Sequence, residues 1–206
     1  RPIRLGIYGA GIQGHMQTRA IATLFDIEEL RIYDVCGPAL ERFQADMQDV
    51  VPGKIILCDD PIQAAQGDAV ICVTQSKDEF LKEEWLAPDT IVFPMGSYQE
   101  CEDAVLLHAD KIVVDHVEQT MHRGALSKLV AQGKLDEHSI TCTIGQLAAG
   151  KVQLERKPGE RLVCIPIGTG AMDIGCASVV YQRALEQGRG QFFDFGVSSA
   201  TQATQN

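Results

Sequence analysis

Residues 3–14, IRLGIYGAGIQG, decide the fold of this chain. Their apolar start predicts a strand, which runs into a G-x-G-x-x-G turn and then into a segment of helical character. In such a turn the first glycine allows the bend, the second lets the backbone approach a pyrophosphate, and the third lets the helix pack closely on the strand. The start of the helix presents free N–H groups and the positive end of its dipole to phosphate. We therefore predict a dinucleotide site whose contacts come from Gly9, Gly11, Ile12, Gln13 and Gly14.

A second strand-like run, LRIY, ends at Asp34, twenty residues beyond Gly14. An acid at this spacing accepts hydrogen bonds from the hydroxyls of the adenosine ribose. No Lys or Arg lies between Asp34 and Arg42, so a 2′-phosphate would meet a carboxylate without a counter-charge. This pattern favours NAD over NADP as the cofactor. The alternative is that Asp34 only caps the helix predicted near Pro38.

The composition of the 206 residues is typical of a soluble globular protein, with 45% hydrophobic and 22% charged residues. The net charge of −10 argues against a nucleic-acid partner or an anionic membrane surface, because either would need a basic patch. No apolar run approaches the roughly 18 residues of a membrane helix, and the N-terminus has no signal-peptide pattern. We expect a cytoplasmic protein without membrane or nucleic-acid contacts.

The seven cysteines predict neither a disulfide framework nor a zinc site, because their number is odd and no C-x-x-C pair occurs. Several lie in apolar runs, as Cys72, Cys164 and Cys176 do. We interpret the cysteines as small core residues in a reducing compartment. A nucleophilic cysteine is the alternative.

Strand-like and helix-like segments alternate along the chain, which predicts an α/β fold with a doubly wound, mostly parallel Rossmann sheet and helices on both faces. The Rossmann strand order is expected with it. The predicted strands are 3–8, 29–33, 54–57, 69–73, 90–93, 111–114 and 161–167. The predicted helices are 12–25, 38–47, 61–66, 101–108, 117–132 with a break at Gly124, and 171–187. A helical turn is expected near 80–86.

We expect residues 1–196 to form one dinucleotide-binding domain and residues 197–206 to be a disordered tail. The charged segment 150–160, broken by Pro and Gly, is expected to be an exposed loop. A second domain usually forms the other wall of the cleft at such a sheet. Since the first domain takes up almost the whole chain, we expect this substrate domain to be absent from it.

Polar residues follow two of the predicted strands and are candidates for contacts with the cofactor. The hydroxyls of Thr74 and Ser76 would face the nicotinamide ribose; the alternative is that Ser76 and Glu79 form a helix capping box. Gly96 would permit close approach of a bound ring, and Tyr98 could offer a hydroxyl to a substrate or lie in a surface turn.

Two further groups lie where later strands end. Asp115 and His116 suggest a carboxylate that orients an imidazole, but we favour a capping box formed by Asp115 and Glu118. The glycines of Gly168-Thr169-Gly170 stand at a helix N-terminus, where N–H groups can meet an anion. The helix beyond is apolar nearly all round, so we expect it to be buried between the sheet and a neighbouring domain or subunit.

These segments together resemble the cofactor domain of the ornithine cyclodeaminase/mu-crystallin family. The resemblance covers most of residues 3–190, and the order and spacing of the segments follow the family. The segments that carry it include GAGIQGHMQTRAI, AVICVTQS, IVFPMGSYQECED, KIVVDHVEQTMHRGAL and GTGAMDIGCASVVYQRALEQGRG.

The resemblance implies binding of NAD(H) or NADP(H) and hydride transfer at the α-carbon of a small amino or imino acid. It also implies a homodimer joined through a separate substrate domain, which supplies the residues that hold the substrate. The chain alone would then bind cofactor without turnover. Tyr98 stands where cyclodeaminases of the family have an Asp, so the catalytic residues are not assigned and ornithine cyclodeamination is in doubt.

Two functions therefore stay open from the sequence. The first is the NAD-binding domain of an oxidoreductase or cyclodeaminase. The second is a non-catalytic module of the mu-crystallin type, in which the dinucleotide is a structural or regulatory ligand. A catalytic acid or base in the cleft would favour the first.

Overall fold

Eight parallel strands form one sheet among residues 2–193, which are the residues that the computed structural model describes. The sheet has the order β3-β2-β1-β4-β5-β8-β6-β7. The strands are β1 (Pro2–Tyr8), β2 (Asp26–Tyr33), β3 (Lys54–Leu57), β4 (Ala69–Cys72), β5 (Ile91–Pro94), β6 (Lys111–Val114), β7 (Cys142–Thr143) and β8 (Leu162–Ile165).

Helices connect most of these strands, as parallel pairing requires. They are α1 (Ile12–Ala22), α2 (Gly37–Met47), α3 (Pro61–Ala64), α4 (Asp103–Leu107), α5 (Val117–His122), α6 (Ser127–Ala131), α7 (Ile144–Ala148) and α8 (Gly170–Glu186). Two short 3-10 turns lie at Glu83–Trp85 and Glu137–Ser139.

The predicted α/β class and parallel sheet are confirmed, and α5 and α6 flank the predicted break at Gly124. The expected Rossmann order is confirmed for β3-β2-β1-β4-β5. Beyond β5 it is corrected, because β8 pairs with both β5 and β6 and so lies between them. The helical turn expected near 80–86 is confirmed, since a 3-10 turn forms at Glu83–Trp85. The short elements β7 and α7 were not predicted. Their two and five residues are too few for a periodic pattern.

Apolar side chains cover both faces of the sheet, which is typical of parallel strands. Leu5 and Ile7 of β1 pack with Phe43 of α2 on one face. Tyr8, the next residue along, lies in the other apolar cluster. Its hydroxyl donates a hydrogen bond to the carbonyl oxygen of Pro61 at 2.5 Å, and burial raises its pKa. The central strand is thus fixed from both sides.

Five of the seven cysteines are buried, as expected of small core residues; these are Cys58, Cys72, Cys101, Cys142 and Cys164. Burial raises the pKa of the Cys58 and Cys164 thiols to about 11. Cys36 and Cys176 are exposed, so for these two the core interpretation is wrong. Cys36 follows β2 where the chain turns into α2, and Cys176 lies on α8.

The chain divides into two compact units, Arg1–Ile167 and Gly168–Asn206. The first contains the whole sheet, and the second contains α8. In this single chain the large apolar side chains of α8 are exposed; these are Met172, Ile174, Val179, Val180, Tyr181 and Leu185. Burial of α8 against a neighbouring domain or subunit stays a prediction. The tail predicted at 197–206 lies outside the described residues. Within residues 2–193, no helix combines the length and the apolar character that a membrane span needs.

We predict that Phe43→Ala lowers the free energy of unfolding by about 3–5 kcal/mol, because the ring is fully buried and its removal leaves a cavity. Urea denaturation followed by circular dichroism measures the change. Leu24→Ala is the control, since Leu24 is 81% exposed and its truncation should cost less than about 0.5 kcal/mol. Equal losses in the two variants would contradict this assignment of the core.

Candidate functional site

Strand register aligns the carboxyl ends of four strands along one edge of the sheet. Tyr8 at the end of β1 pairs with Tyr33 of β2 and with Cys72 of β4, and Cys72 pairs in turn with Pro94 of β5. The loops that follow these residues therefore emerge side by side. The candidate residues they carry are Gly9, Asp34, Thr74, Ser76 and Gly96. This edge includes the boundary between β1 and β4, where open α/β sheets bind ligands.

The three glycines of the first turn differ in what surrounds them. Gly9 has φ of +110°, and a Cβ there would lie 2.8 Å from the carbonyl oxygen of Val73. A Cβ on Gly14 would lie 2.1 Å from the carbonyl oxygen of Gly9. A Cβ on Gly11 would meet nothing within 4 Å. Two glycines therefore serve the close packing of the turn, and the third leaves open space in front of it.

The N-terminus of α1 faces that open space. The N-cap of α1 is Gly11, which has no side chain to form a capping bond. The first turn of α1 contains no acidic residue. Ile12 in this turn is exposed. Since the first N–H groups of a helix have no partner within the helix, they can bind an anion. Gln13, also predicted as a contact, lies in the same turn and is exposed.

Asp34 binds two loops of the site through its two carboxylate oxygens. Oδ2 accepts a hydrogen bond from the N–H of Ala10 at 2.7 Å, and Oδ1 accepts one from the N–H of Cys36 at 2.8 Å. The N-cap of α2 is Cys36, so Asp34 does not cap that helix. A carboxylate has about four lone-pair positions. Asp34 thus keeps acceptor capacity for ribose hydroxyls while it holds the glycine turn through the N–H of Ala10.

Thr74 and Ser76 are engaged with neighbouring groups of the protein. The Thr74 hydroxyl donates to Oε1 of Glu100 at 2.7 Å and accepts from the N–H of Ser76 at 3.1 Å. Ser76 Oγ accepts from the N–H of Asp78 at 3.0 Å. The capping box with Glu79 is wrong, because no helix begins there and the Glu79 carboxylate instead binds the Lys128 ammonium.

Glu100 is the site residue that sequence reasoning missed. It is fully buried, and its carboxylate accepts hydrogen bonds from the N–H groups of Thr74 and Gly96, each at 2.7 Å. Burial raises its pKa above the usual glutamate value, although the bonds from Thr74 and Gly96 act in the opposite direction. Its partner Thr74 is 26 residues away, so no local pattern could have revealed the contact.

Gly96 is required by Glu100, because a Cβ at Gly96 would lie 2.4 Å from the carboxylate carbon. The role expected of this glycine was to make room for a bound ring. Tyr98, two residues further on, is 49% exposed. The Lys77 ammonium lies 5.8 Å from the centre of its ring. The tyrosine therefore stands at the surface of the β5 loop beside a cation.

The Asp115–His116 segment is arranged differently from the expected capping box. His116 is the N-cap of α5, and its Nδ1 accepts from the N–H of Gln119 at 3.4 Å. Asp115 accepts from the N–H of His116. His116, Glu118 and His122 line an open cleft of about 630 Å³. Across residues 2–193 no three His, Cys, Asp or Glu side chains form a group that could hold a metal ion.

The remaining predicted contacts lie in the second unit of the chain. Gly168 has φ of +93°, which favours glycine, and Thr169 is the N-cap of α8 without a side-chain capping bond. Gly170 is the first residue of that helix. These residues thus open a helix of 17 residues, as predicted, and their contact with a cofactor stays a prediction.

Comparison with known proteins gives a consistent family match. The family model described as "Ornithine cyclodeaminase/mu-crystallin family" matches residues 2–188. Among curated proteins, the alanine dehydrogenase of Archaeoglobus fulgidus is 29% identical over 194 residues, which cover 92% of this chain and 59% of that protein. The chain therefore spans about three fifths of the length of such relatives.

Solved structures show the same fold. An archaeal alanine dehydrogenase dimer with bound NAD superposes with a TM-score of 0.82 at 29% identity, over 93% of this chain and 60% of that one. The Delta(1)-pyrroline-2-carboxylate reductase of Thermococcus litoralis, solved with NADH and L-proline, gives a TM-score of 0.84 at 22% identity. That match covers 93% of this chain and 61% of the reductase.

We predict that Gly14→Ala and Gly11→Ala affect stability differently. The new methyl group at position 14 clashes with backbone and should lower the free energy of unfolding by about 1–3 kcal/mol. At position 11 it enters open space and should cost less than about 1 kcal/mol. Chemical denaturation of both variants tests this, and a larger loss at position 11 would contradict the geometry of the turn.

Proposed function

Because the chain belongs to the ornithine cyclodeaminase/mu-crystallin family, we propose that it binds NAD at the carboxyl edge of its sheet. We further propose that it forms the cofactor half of an oxidoreductase for small amino or imino acids. In that reaction a hydride moves between the nicotinamide ring and the α-carbon of the substrate. The bound cofactor supplies the hydride chemistry, and the residues of this chain hold and orient the cofactor.

One observation carries the proposal: open space in front of Gly11 meets the uncapped N-terminus of α1. A pyrophosphate placed there accepts hydrogen bonds from N–H groups that have no partner within the helix, and it lies at the positive end of the helix dipole. Gly9 and Gly14 keep side chains out of the bend. Asp34, bonded to Ala10 of the same turn, is then the acceptor for the adenosine ribose.

The proposed preference for NAD follows from the charge of Asp34. A 2′-phosphate on the adenosine ribose would approach this carboxylate, and like charges repel. The nearest following cation in the sequence is Arg42 on α2, eight residues beyond Asp34. NADP should therefore bind more weakly than NAD.

The substrate groups are proposed to come from outside this chain. The archaeal alanine dehydrogenase that it matches is a dimer, and the chain spans 60% of that protein. A homodimer with a separate substrate domain is thus our proposal for the working enzyme. Tyr98 stands in place of the family aspartate that is expected in cyclodeaminases, so we favour net oxidation or reduction of the substrate over cyclodeamination.

We predict that NAD raises the melting temperature of the chain more than NADP does. The stabilisation follows RT ln(1 + [L]/Kd), or about 2.7 kcal/mol at a hundredfold excess over Kd. Asp34→Asn removes the negative charge and should raise the NADP-to-NAD affinity ratio about tenfold or more. Gly11→Ala is the matched control, since a methyl group at the pyrophosphate should weaken both nucleotides alike. Equal binding of the two nucleotides by the wild-type chain would contradict the role of Asp34.

We predict that the 206-residue chain binds NADH but does not oxidise it in the presence of cyclic imines, or of 2-oxo acids with ammonia. Loss of NADH absorbance measures turnover. The complete gene product, which includes any substrate domain, should turn over at least one substrate in such a panel. If it binds NADH and consumes none of them, the non-catalytic module becomes the better description.

A further inference from the structure

The Glu100 carboxylate is the one acidic side chain among residues 2–193 that is fully buried. Its ion-pair partners would have to be Lys, Arg or His, and no such group of the described residues lies within 4 Å of it. Buried charges are costly unless they are paired or fully hydrogen-bonded. Here three donors from two loops, the Thr74 N–H and hydroxyl and the Gly96 N–H, take the place of a cation.

These three bonds connect the ends of two neighbouring strands. Thr74 follows β4 and Gly96 follows β5, just beyond the register pair of Cys72 and Pro94. Oε1 holds the first loop and Oε2 holds the second. Gly96 has no room for a Cβ because the carboxylate fills that space. The separation and orientation of the two loops are therefore set by one side chain.

The same contact reaches the glycine turn. In a trans peptide the N–H of one residue and the C=O of the preceding residue point in opposite directions. With the N–H of Thr74 held by Glu100, the carbonyl of Val73 points away from Glu100. That carbonyl oxygen is the group that lies 2.8 Å from the Cβ position of Gly9. Glu100 is thus linked through one peptide to the bend at Gly9.

We propose that Glu100 is a positioning residue for the nicotinamide ring of the dinucleotide; this inference rests on the proposed function. In a doubly wound sheet the dinucleotide crosses the switch point, with one mononucleotide on each side. Asp34 and β2 lie on the adenosine side of β1, so β4 and β5 lie on the nicotinamide side. Glu100 does not touch the cofactor. It holds the backbone of Thr74 and Gly96 in the place that the nicotinamide ring meets.

The test compares two ligands on one protein. NAD carries the nicotinamide ring, and ADP-ribose carries the adenosine, the pyrophosphate and the second ribose without that ring. Glu100→Gln keeps one acceptor oxygen but places an NH₂ group against one of the N–H donors. We expect the affinity for NAD to fall about tenfold and the affinity for ADP-ribose to change less than about twofold, both by isothermal titration calorimetry.

Two further variants make the comparison specific. Glu102→Gln removes a charge only two residues from Glu100. Glu102 accepts a hydrogen bond from the N–H of Glu83 and not from the loops after β4 and β5. The ratio of NAD affinity to ADP-ribose affinity should therefore stay at the wild-type value. Thr74→Val keeps the shape of the side chain and removes its hydroxyl, which donates to Glu100 and accepts from the N–H of Ser76. It should lower the same ratio, by less than Glu100→Gln does, and it tests the proposal if Glu100→Gln does not fold.

A pH series separates positioning from a general loss of stability. The ionised form accepts all three bonds, so protonation of Glu100 at falling pH should lower the NAD-to-ADP-ribose affinity ratio in the wild type. The ratio in Glu100→Gln should not change with pH. The titratable groups near Glu100 are the buried Cys72 and Cys101 thiols, which burial and the Glu100 charge keep neutral by raising their pKa values.

The outcomes are distinct. A wild-type chain that binds neither ligand contradicts the proposed function, and this inference with it. A wild-type chain that binds both, with Glu100→Gln weakening both equally or neither, overturns the role of Glu100 alone. Selective loss of NAD affinity in Glu100→Gln and Thr74→Val, with Glu102→Gln unchanged, supports it.

Discussion

The site depends on the close approach of α1 to the end of β1. A Cβ at Gly14 would stand 2.1 Å from the carbonyl oxygen of Gly9, and one at Gly9 would stand 2.8 Å from the carbonyl oxygen of Val73. Side chains are thereby excluded from the bend, and the first turn of the helix lies at the sheet edge. Of the three glycines of this turn, only Gly11 has open space at its Cβ position. The steric constraint thus decides where an anion can approach the backbone.

Two carboxylates connect the loops at the carboxyl edge of the sheet, each by accepting hydrogen bonds from backbone N–H groups. Asp34, which follows β2, fastens its own loop to the loop after β1 through the N–H of Ala10. Glu100, beyond β5, fastens the loops after β4 and β5. Each uses its oxygens for backbone N–H groups and not for a basic side chain. The half-buried Asp34 keeps capacity for an external ligand, whereas the fully buried Glu100 acts only through the backbone it holds.

The sequence was sufficient to predict those elements whose contacts are between residues close together in the chain. The glycine turn, the strand that precedes it and the helix that follows are fixed by residues within one turn of each other, and their bounds agree with prediction to within a few residues. Pairing between distant strands was not predictable in this way. The place of β8 between β5 and β6 depends on partners more than 45 residues away along the chain.

The candidate site shows the same division. Gly9, Gly14 and Asp34 could be selected by spacing, although the contacts of Asp34 with Ala10 and Cys36 required the structure. Glu100 carried no local signal, because nothing in the polar segment SYQECED distinguishes this buried acid from its acidic neighbours Glu102 and Asp103. The roles first given to Thr74 and Gly96 were incomplete for the same reason, since both residues are partners of Glu100.

The central claim is that the uncapped start of α1 receives the pyrophosphate of NAD. Titration of ¹⁵N-labelled chain with NAD, followed by amide chemical shifts, tests it directly. The account predicts saturable shifts that are largest at the amides of Ile12, Gln13 and Gly14. Saturable shifts confined to other parts of the chain, with these three amides unmoved, would contradict it.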